Sequence, residues 1–436
     1  MTYTPQTLAQ KLIAKACGKA TVVEGEIVTC QVDLVLMHDS SGPRRVQPRL
    51  HELGVNVFDP SKVVLVSDHY VPATDADSAE ILALTRRWAS DNNIDHFYDM
   101  QGICHVMLPQ QGHLQPGMFL VGGDSHSPTG GAFSTFMVGI GATEMTGVLA
   151  TSEIWIKVPK TIRINLDGIM PKGCSAKDIM LYLCKQLGNN NDYKVLEFSG
   201  STVRQMPMFE RMVLCNMSAE LGAKTAVIGA DETTLSWLRD LGKACDERLL
   251  EWQSDEHAVY DAVIDLDVTT LEPQIAAPHS PQNTHAINAI DSVDIQQAYI
   301  GACTGAKLSD LHMAAQVLKG RKVAAGTRLL VAPATVKTTE LATKDGTLAT
   351  LTEAGAILLP SGCGACAGMG AGAIASGENC ISSTSRNFKG RMGSPQSNVY
   401  LGSPYTVAAS AIAGKLADPR PYIDTPAIEG DPIARQ

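Results

Sequence analysis

Aromatic side chains are scarce in this 436-residue sequence, 5% against 44% hydrophobic residues in all, so its core must be packed mainly from aliphatic side chains. No apolar run approaches the ~18 residues that a bilayer-spanning helix needs. Residues 1–10 show no basic stretch followed by an apolar one. Neither a membrane span nor a secretory leader is therefore expected. An excess of positive charge is also missing: 35 Lys and Arg stand against 45 Asp and Glu, a net charge of −10. Such a surface repels the phosphate backbone, which argues against a nucleic-acid partner. The 11 cysteines are odd in number and form no compact disulfide framework. A reducing, cytoplasmic setting is expected, where grouped cysteines point to metal. A G-x-S-x-G elbow is absent, and Asp124, Ser125 and His126 are adjacent in sequence, which is not the spatial relation of a hydrolase triad.

What is present is a set of short apolar runs with a shared ending. VDLVLMHD stops at His38–Asp39, KVVLVSDH at Asp68–His69 and GMFLVGGDSH at Asp124–Ser125–His126. Each reads as a buried strand, and helical segments such as 78–90 lie between them, so the pattern predicts a parallel α/β sheet. Ligands collect at the carboxyl ends of such strands. One Asp–His pair at a strand end is an ordinary turn feature; three pairs at equivalent places, with His105 nearby, point to a site.

Three α/β domains are expected, at 1–157, 158–285 and 286–436, with a linker read into the proline-rich stretch 267–289. Helices are expected at 6–17, 175–187 and about 201–222. Asn216 and Glu220, four apart, would share one face of the last; a solvated face is the ordinary meaning of such a pair.

Three cysteines group: Cys303 in YIGACTGAK, and Cys363 with Cys366 in PSGCGACAG. Glycine and alanine surround them, which lets the backbone approach a bulky inorganic centre. Three thiolates are one short of a closed tetrahedral site, and an open position suits a Lewis acid. A redox dithiol or two buried cysteines in a glycine-rich turn are the other meanings of this pattern. Arg386 and Arg391, in a Ser- and Gly-rich loop, suit bidentate carboxylate binding. Together these groups fit metal-assisted removal or addition of water on a hydroxy acid.

Six motifs in order, SDH at 67–69, GGDSH at 122–126, NMSAE at 216–220, the three cysteines, RNFKGR at 386–391 and YLGSP at 400–404, resemble those of the aconitase superfamily. The length is similar to that of the large subunits of its two-subunit, 3-isopropylmalate dehydratase-like hydro-lyases. The resemblance implies three α/β/α domains around a [4Fe–4S] cluster, held by Cys303, Cys363 and Cys366, with one iron lacking a protein ligand. It implies that Asp68 orients His69, the acid that protonates the departing hydroxyl, and that His105 pairs with Glu220. Asp124 and His126 would bond to water or hydroxyl, Ser125 and His38 would bind substrate, Asn216 would support the cluster surroundings, and Arg386 and Arg391 would bind carboxylates. The base serine would come from a separate small subunit carrying the swivelling fourth domain. Three departures stand out: Gly305 and Ser385 replace the family's usual asparagines, and SHSPTGG at 125–131 differs from the usual Ser-His-Thr. Other malate or citrate analogues (dimethylmalate, citramalate, homocitrate) are therefore alternative substrates. A cluster-dependent RNA-binding regulator is the alternative of another class.

Overall fold

The computed structural model describes residues 4–424. These form two compact units, Met1–Met170 with Leu187–Thr270 and Pro171–Gln186 with Leu271–Gln436, each as far as it is described.

The first unit holds a five-stranded, wholly parallel sheet. Its spatial order is His96–Asp99, Val63–Ser67, Leu34–His38, Phe119–Gly122, Phe136–Gly139. The three apolar runs with polar endings are the three central strands. Leu34–His38 and Val63–Ser67 are buried at every position, as strands covered on both faces must be. Successive strands run outwards in one direction from Leu34–His38 and then in the other from Phe119–Gly122. The order therefore reverses between these two strands, where a doubly wound sheet opens a crevice at its carboxyl edge. Leu8–Ala16 is a helix closed by a reciprocal Thr7–Gln10 capping box, and Ala76–Asp91 is capped by the Asp75 side chain. The same unit carries a second parallel sheet in the order Thr225–Ile228, Lys194–Ser199, Lys160–Asp167, Ala262–Asp267.

In the second unit a seven-stranded sheet runs Thr284–Ala286, Gln274–Ala276, Asn398–Leu401, Asn379–Ser382, Gln297–Ile300, Arg328–Val331, Ala356–Leu358. Its last five members are parallel, and the two short strands at the other edge pair antiparallel. Those two strands fall inside the stretch 267–289 read as a linker: at three residues each they are too short to show periodicity beside so much proline. The helix Ala176–Leu187 lies in sequence between two strands of the first unit, yet its residues as far as Gln186 belong to the second. Each of the three larger sheets still takes its strands from one contiguous stretch of chain. No helix among the described residues is long and apolar enough to cross a membrane.

The expected helix at about 201–222 is broken. Ser201–Gln205 and Met208–Asn216 flank Pro207, and Met217–Leu221 is a tighter 3₁₀ turn. Asn216 and Glu220 are not on a solvated face; they are 1% and 5% exposed.

Gly131 illustrates how closely the backbone packs beneath the site. A Cβ placed there would lie 1.8 Å from the Ala226 carbonyl oxygen, a backbone atom that cannot swing aside. Gly147, in the helix Ala142–Thr151, has open space around the same position. Gly131→Ala is expected to lower the melting temperature through overpacking worth about 1–3 kcal/mol or more. Gly147→Ala is expected to raise it, through a stabilisation of about 0.4–1 kcal/mol that acts on the unfolded chain. Melts of the two variants side by side check both signs.

Candidate functional site

The parallel register sets the strand endings of the five-stranded sheet beside one another. Asp68 and Asp39 are completely buried. Asp68 accepts from His69 Nδ1 at 2.7 Å and from the Cys104 backbone N–H at 2.7 Å. Asp39 accepts the backbone N–H groups of His69, at 3.1 and 3.2 Å, and of Tyr70, at 3.0 Å. Burial works against a charge on His69, but the Asp68 charge and hydrogen bond, helped by Asp39 and Asp124, raise its imidazole to about 9. Burial would likewise raise Asp68, but the charge and hydrogen bond of His69 pull it down to about 2. His69 is thus a charged donor at neutral pH, with Nδ1 committed to Asp68 and Nε2 left over.

His38 stacks on His69 with ring centroids 4.0 Å apart and planes within 12°. Ser41 Oγ donates to the Gly123 carbonyl at 2.7 Å, so its 2.9 Å bond to His38 Nε2 takes the proton from the ring. Burial and the neighbouring His69 charge push His38 down to about 4, so it is neutral. Its buried Nδ1 has no hydrogen-bond partner among the described residues.

A second group follows the strand Phe119–Gly122. Asp124 Oδ1 bonds His105 Nε2 at 2.8 Å and accepts the His126 backbone N–H at 2.7 Å. Burial opposes ionisation of Asp124, but its bonds to His105 and His126 hold it well below the usual carboxylate range. Glu220 bonds His126 Nε2 at 3.0 Å. The expected pairing of His105 with Glu220 is therefore exchanged: His105 goes to Asp124 and Glu220 to His126. That pairing was what the family resemblance implied; Glu220 is carried here on the 3₁₀ turn Met217–Leu221, not on a continuous helix. Asn216 Nδ2 donates to Thr129 Oγ1 at 2.7 Å, and Thr129 Oγ1 donates to the His126 carbonyl at 2.6 Å, so Asn216 props the His126 backbone. Ser125 is exposed beside these groups.

Asp39, Ser41 and Thr129 belong to this arrangement and were not among the expected site residues. Asp39 stood next to His38 at a strand end, but nothing in the linear sequence showed that it would hold the neighbouring strand's 69–70 backbone.

In the second unit the parallel strands again deliver the chemistry at their carboxyl ends. Cys303 follows Gln297–Ile300, Cys363 and Cys366 follow Ala356–Leu358, and Arg386 and Arg391 follow Asn379–Ser382. Cys303 and Cys366 are buried and Cys363 is half-buried. The segments are tied together. Ser383 Oγ accepts from the Gly301 N–H at 3.0 Å, Thr304 Oγ1 donates to the Ser383 carbonyl at 3.0 Å, and Lys307 Nζ donates to the Cys303 carbonyl at 3.2 Å. Gly305 stands where an asparagine was expected because the space is filled: a Cβ there would lie 2.2 Å from Ser383 Oγ. The turn carrying Cys366 is equally tight, since a Cβ on Gly368 would lie 2.8 Å from the Arg391 carbonyl oxygen.

These features define a class: an α/β protein with paired histidines and carboxylates at the carboxyl ends of one parallel sheet, and thiols with arginines at those of another. Comparison with known proteins makes it particular. The Aconitase family (aconitate hydratase) model matches residues 10–292 and 283–414, and the chain belongs to that family. It is 42% identical, over 96% of its length and 100% of the relative's, to "3-isopropylmalate dehydratase large subunit 1" of Methanopyrus kandleri. It is 40% identical, over 96% and 99%, to "3-isopropylmalate dehydratase large subunit 1" of Pyrococcus furiosus. It is 41% identical, over 95% and 99%, to "3-isopropylmalate dehydratase large subunit" of Oleidesulfovibrio alaskensis. The holo-form structure of Thermococcus kodakaraensis aconitase X overlaps loosely, with a TM-score of 0.46 and 11% identity over 82% of this chain and 84% of that one.

Family membership implies an iron–sulfur cluster. The residues here fit one. The thiol-bearing turns are lined by glycines, and Tyr299, buried against them, holds a hydroxyl with no partner among the described residues.

The Asp68–His69 pair gives a direct test. Because the folded imidazole lies above its ordinary 6.5, its contribution to stability is complete below about 6.5 and is lost as pH rises through about 9. An NMR titration is expected to show His69 titrating near 9, and Asp68→Asn is expected to drop it to 6.5 or below. A His69 pKa unmoved by that change would remove Asp68 as the cause.

Proposed function

We propose that this chain is the large, catalytic subunit of a 3-isopropylmalate dehydratase-like hydro-lyase, which removes water from and returns it to a 2-hydroxy di- or tricarboxylic acid. The observation that carries this reading is end-to-end identity of 38–42% with large subunits of that enzyme. The placement of a charged imidazole at the sheet's carboxyl edge supports it.

In this reading Cys303, Cys363 and Cys366 hold a [4Fe–4S] cluster with one iron lacking a protein ligand. When bound, the cluster supplies a Lewis acid that polarises the departing hydroxyl. His69 gives that hydroxyl its proton from Nε2, while Asp68 fixes the ring and keeps it charged between turnovers. Asp39 holds the backbone on which His69 is carried. His38, neutral and stacked, backs the charged ring, and by family resemblance it contributes to substrate binding. Asp124, with His105 and His126, forms the acid–base set that holds the water or hydroxyl, and Glu220 orients His126. Asn216 secures the His126 turn, and by family resemblance it supports the cluster surroundings. Ser125, Arg386 and Arg391 bind substrate carboxylates, the arginines by bidentate hydrogen bonds. The base serine comes from a small subunit that carries the swivelling domain. We further propose three domains at 1–157, 158–285 and 286–436, supported for the first two by the five-stranded and four-stranded sheets, whose strands lie within 34–139 and 160–267; the seven-stranded sheet begins ahead of the last boundary, at Gln274–Ala276. Dimethylmalate, citramalate and homocitrate remain the alternative substrates, on account of the departure at 125–131.

The test is ultraviolet absorbance of the alkene product. The chain, prepared without oxygen, is assayed with its small polypeptide against isopropylmalate and these analogues. Turnover of isopropylmalate that depends on the small polypeptide is the expected result. Full activity of the large chain alone would overturn the two-subunit reading. His69→Ala should cut turnover by about 10²–10⁴-fold with cluster absorbance intact. The rate of the intact enzyme should fall as pH rises past about 9, where His69 loses its proton. Unchanged turnover in the variant would remove His69 from its role.

A further inference from the structure

Tyr299 is the one buried tyrosine whose hydroxyl lacks a hydrogen-bond partner among the described residues. The side chain is 0% exposed, and it is not left there by a loose loop. It sits in the strand Gln297–Ile300, paired on one side with Leu330 and on the other with Ser382. Its carbonyl also accepts the Ser383 N–H at 3.0 Å. The backbone is thus held from both sides, and the ring position is set.

The ring lies along the turn that leads to Cys303. A Cβ on Gly301 would lie 2.2 Å from Tyr299 Cε1 and 2.6 Å from Oη, so the ring occupies the space that any side chain at 301 would need. The hydroxyl continues to the other thiol-bearing turn, where a Cβ on Gly364 would lie 3.6 Å from it. Gly364 is the residue between Cys363 and Ala365. Oη therefore sits between the Cys303 loop and the Cys363–Cys366 turn, yet bonds none of the three thiols.

A phenylalanine would pack the same volume without a stranded donor. A buried hydroxyl with no acceptor costs the fold stability that a phenyl ring does not. Burial first, then the negative charge of Cys366 and Cys363, pushes the phenol far above its ordinary range, so the proton stays on oxygen and Oη is a donor. The side chain at 305 cannot take this part, because residue 305 is glycine.

We propose that Tyr299 Oη donates a hydrogen bond to an inorganic sulfide of the cluster held by Cys303, Cys363 and Cys366. This rests on the cluster reading given above and names a residue that tunes the group. A hydrogen bond to sulfur stabilises the more reduced, more negative state of a cluster and raises its reduction potential.

The experiment compares the full-length chain with Tyr299→Phe, both loaded with cluster anaerobically. Iron and sulfide content comes first; a wild-type chain that takes up no cluster would overturn the cluster reading, and this proposal with it. With both chains loaded, the Phe variant is expected to show a lower reduction potential. It should also lose one proton coupling that exchanges in D₂O, seen by electron–nuclear double resonance in a paramagnetic state of the cluster. In the cluster-free chain the same change should raise the melting temperature, because it removes an unsatisfied donor. Equal potentials and an unchanged coupling in the variant would overturn the proposal. If the variant fails to fold, the wild-type spectrum decides: an exchangeable coupling at the cluster supports the donor, and none refutes it.

Discussion

Two carboxylates, Asp39 and Asp68, lie where no water reaches them, and much of the first unit's site follows from that. An ionised carboxylate cannot persist in a dry interior unless charges and donors replace its hydration. Here the replacements come from two segments, 69–70 and the start of the helix at Cys104. The N–H groups of His69, Tyr70 and Cys104 point at the two side chains, and the His69 imidazole supplies the positive charge. Withdrawing one partner from such a set strands a buried charge, at about 3–5 kcal/mol. The loops at 38–41, 67–70 and 103–105 are consequently one electrostatic unit. Parallel pairing makes it possible, because adjacent strands end at the same level and bring polar endings distant in sequence side by side.

The same compensation separates two imidazoles that are nearly in contact. His38 and His69 are stacked at 4.0 Å, and two cations at that distance would repel strongly. One has to yield. His69 has Asp68 directly on Nδ1, at 2.7 Å, while His38 bonds a serine hydroxyl and has its nearest carboxylates, Asp39 and Asp124, 3.9 Å away, so His69 keeps the proton and His38 gives it up. Two identical side chains become an acid and a neutral platform through their neighbours alone. Divergent pKa values in a buried pair are the pattern expected where proton transfer is the task. Asp124 extends the set, held ionised by its bonds to His105 and His126.

The parts of this design that were legible in the sequence are those written locally. Short apolar runs ending at Asp–His pairs gave the strands, their parallel character and the edge where the chemistry collects. Helix boundaries at Leu8–Ala16 and Ala76–Asp91 fell within a residue or two of the periodicity. Pairings were not legible. His126 and Glu220 are 94 residues apart, and their meeting depends on a 3₁₀ turn that helical periodicity misreads. Asp39 was visible as a residue but not as a partner, since its ligands are backbone groups, which leave no trace in composition. The strands Gln274–Ala276 and Thr284–Ala286 escaped because three residues cannot display alternation and prolines surround them.

The second unit solves the placement of its functional groups by a different means. Its thiols and arginines also follow parallel strands, but their turns are fixed by exclusion of volume. Gly301 is filled by the Tyr299 ring, Gly305 by the Ser383 side chain, and Gly368 by the Arg391 backbone. Of these three, only Gly368 has a left-handed backbone, at φ +72°, so at 301 and 305 close approach and not conformation demands glycine. This changes how the glycine-rich cysteine motifs should be understood. They are not flexible linkers around the sulfur ligands. They are sockets already occupied by neighbouring groups, which fix three separate turns against one another. A substitution there would act through displaced backbone long before it touched a thiol. The low aromatic content fits the same picture: a single tyrosine, buried to its hydroxyl, fills the space that Gly301 leaves open.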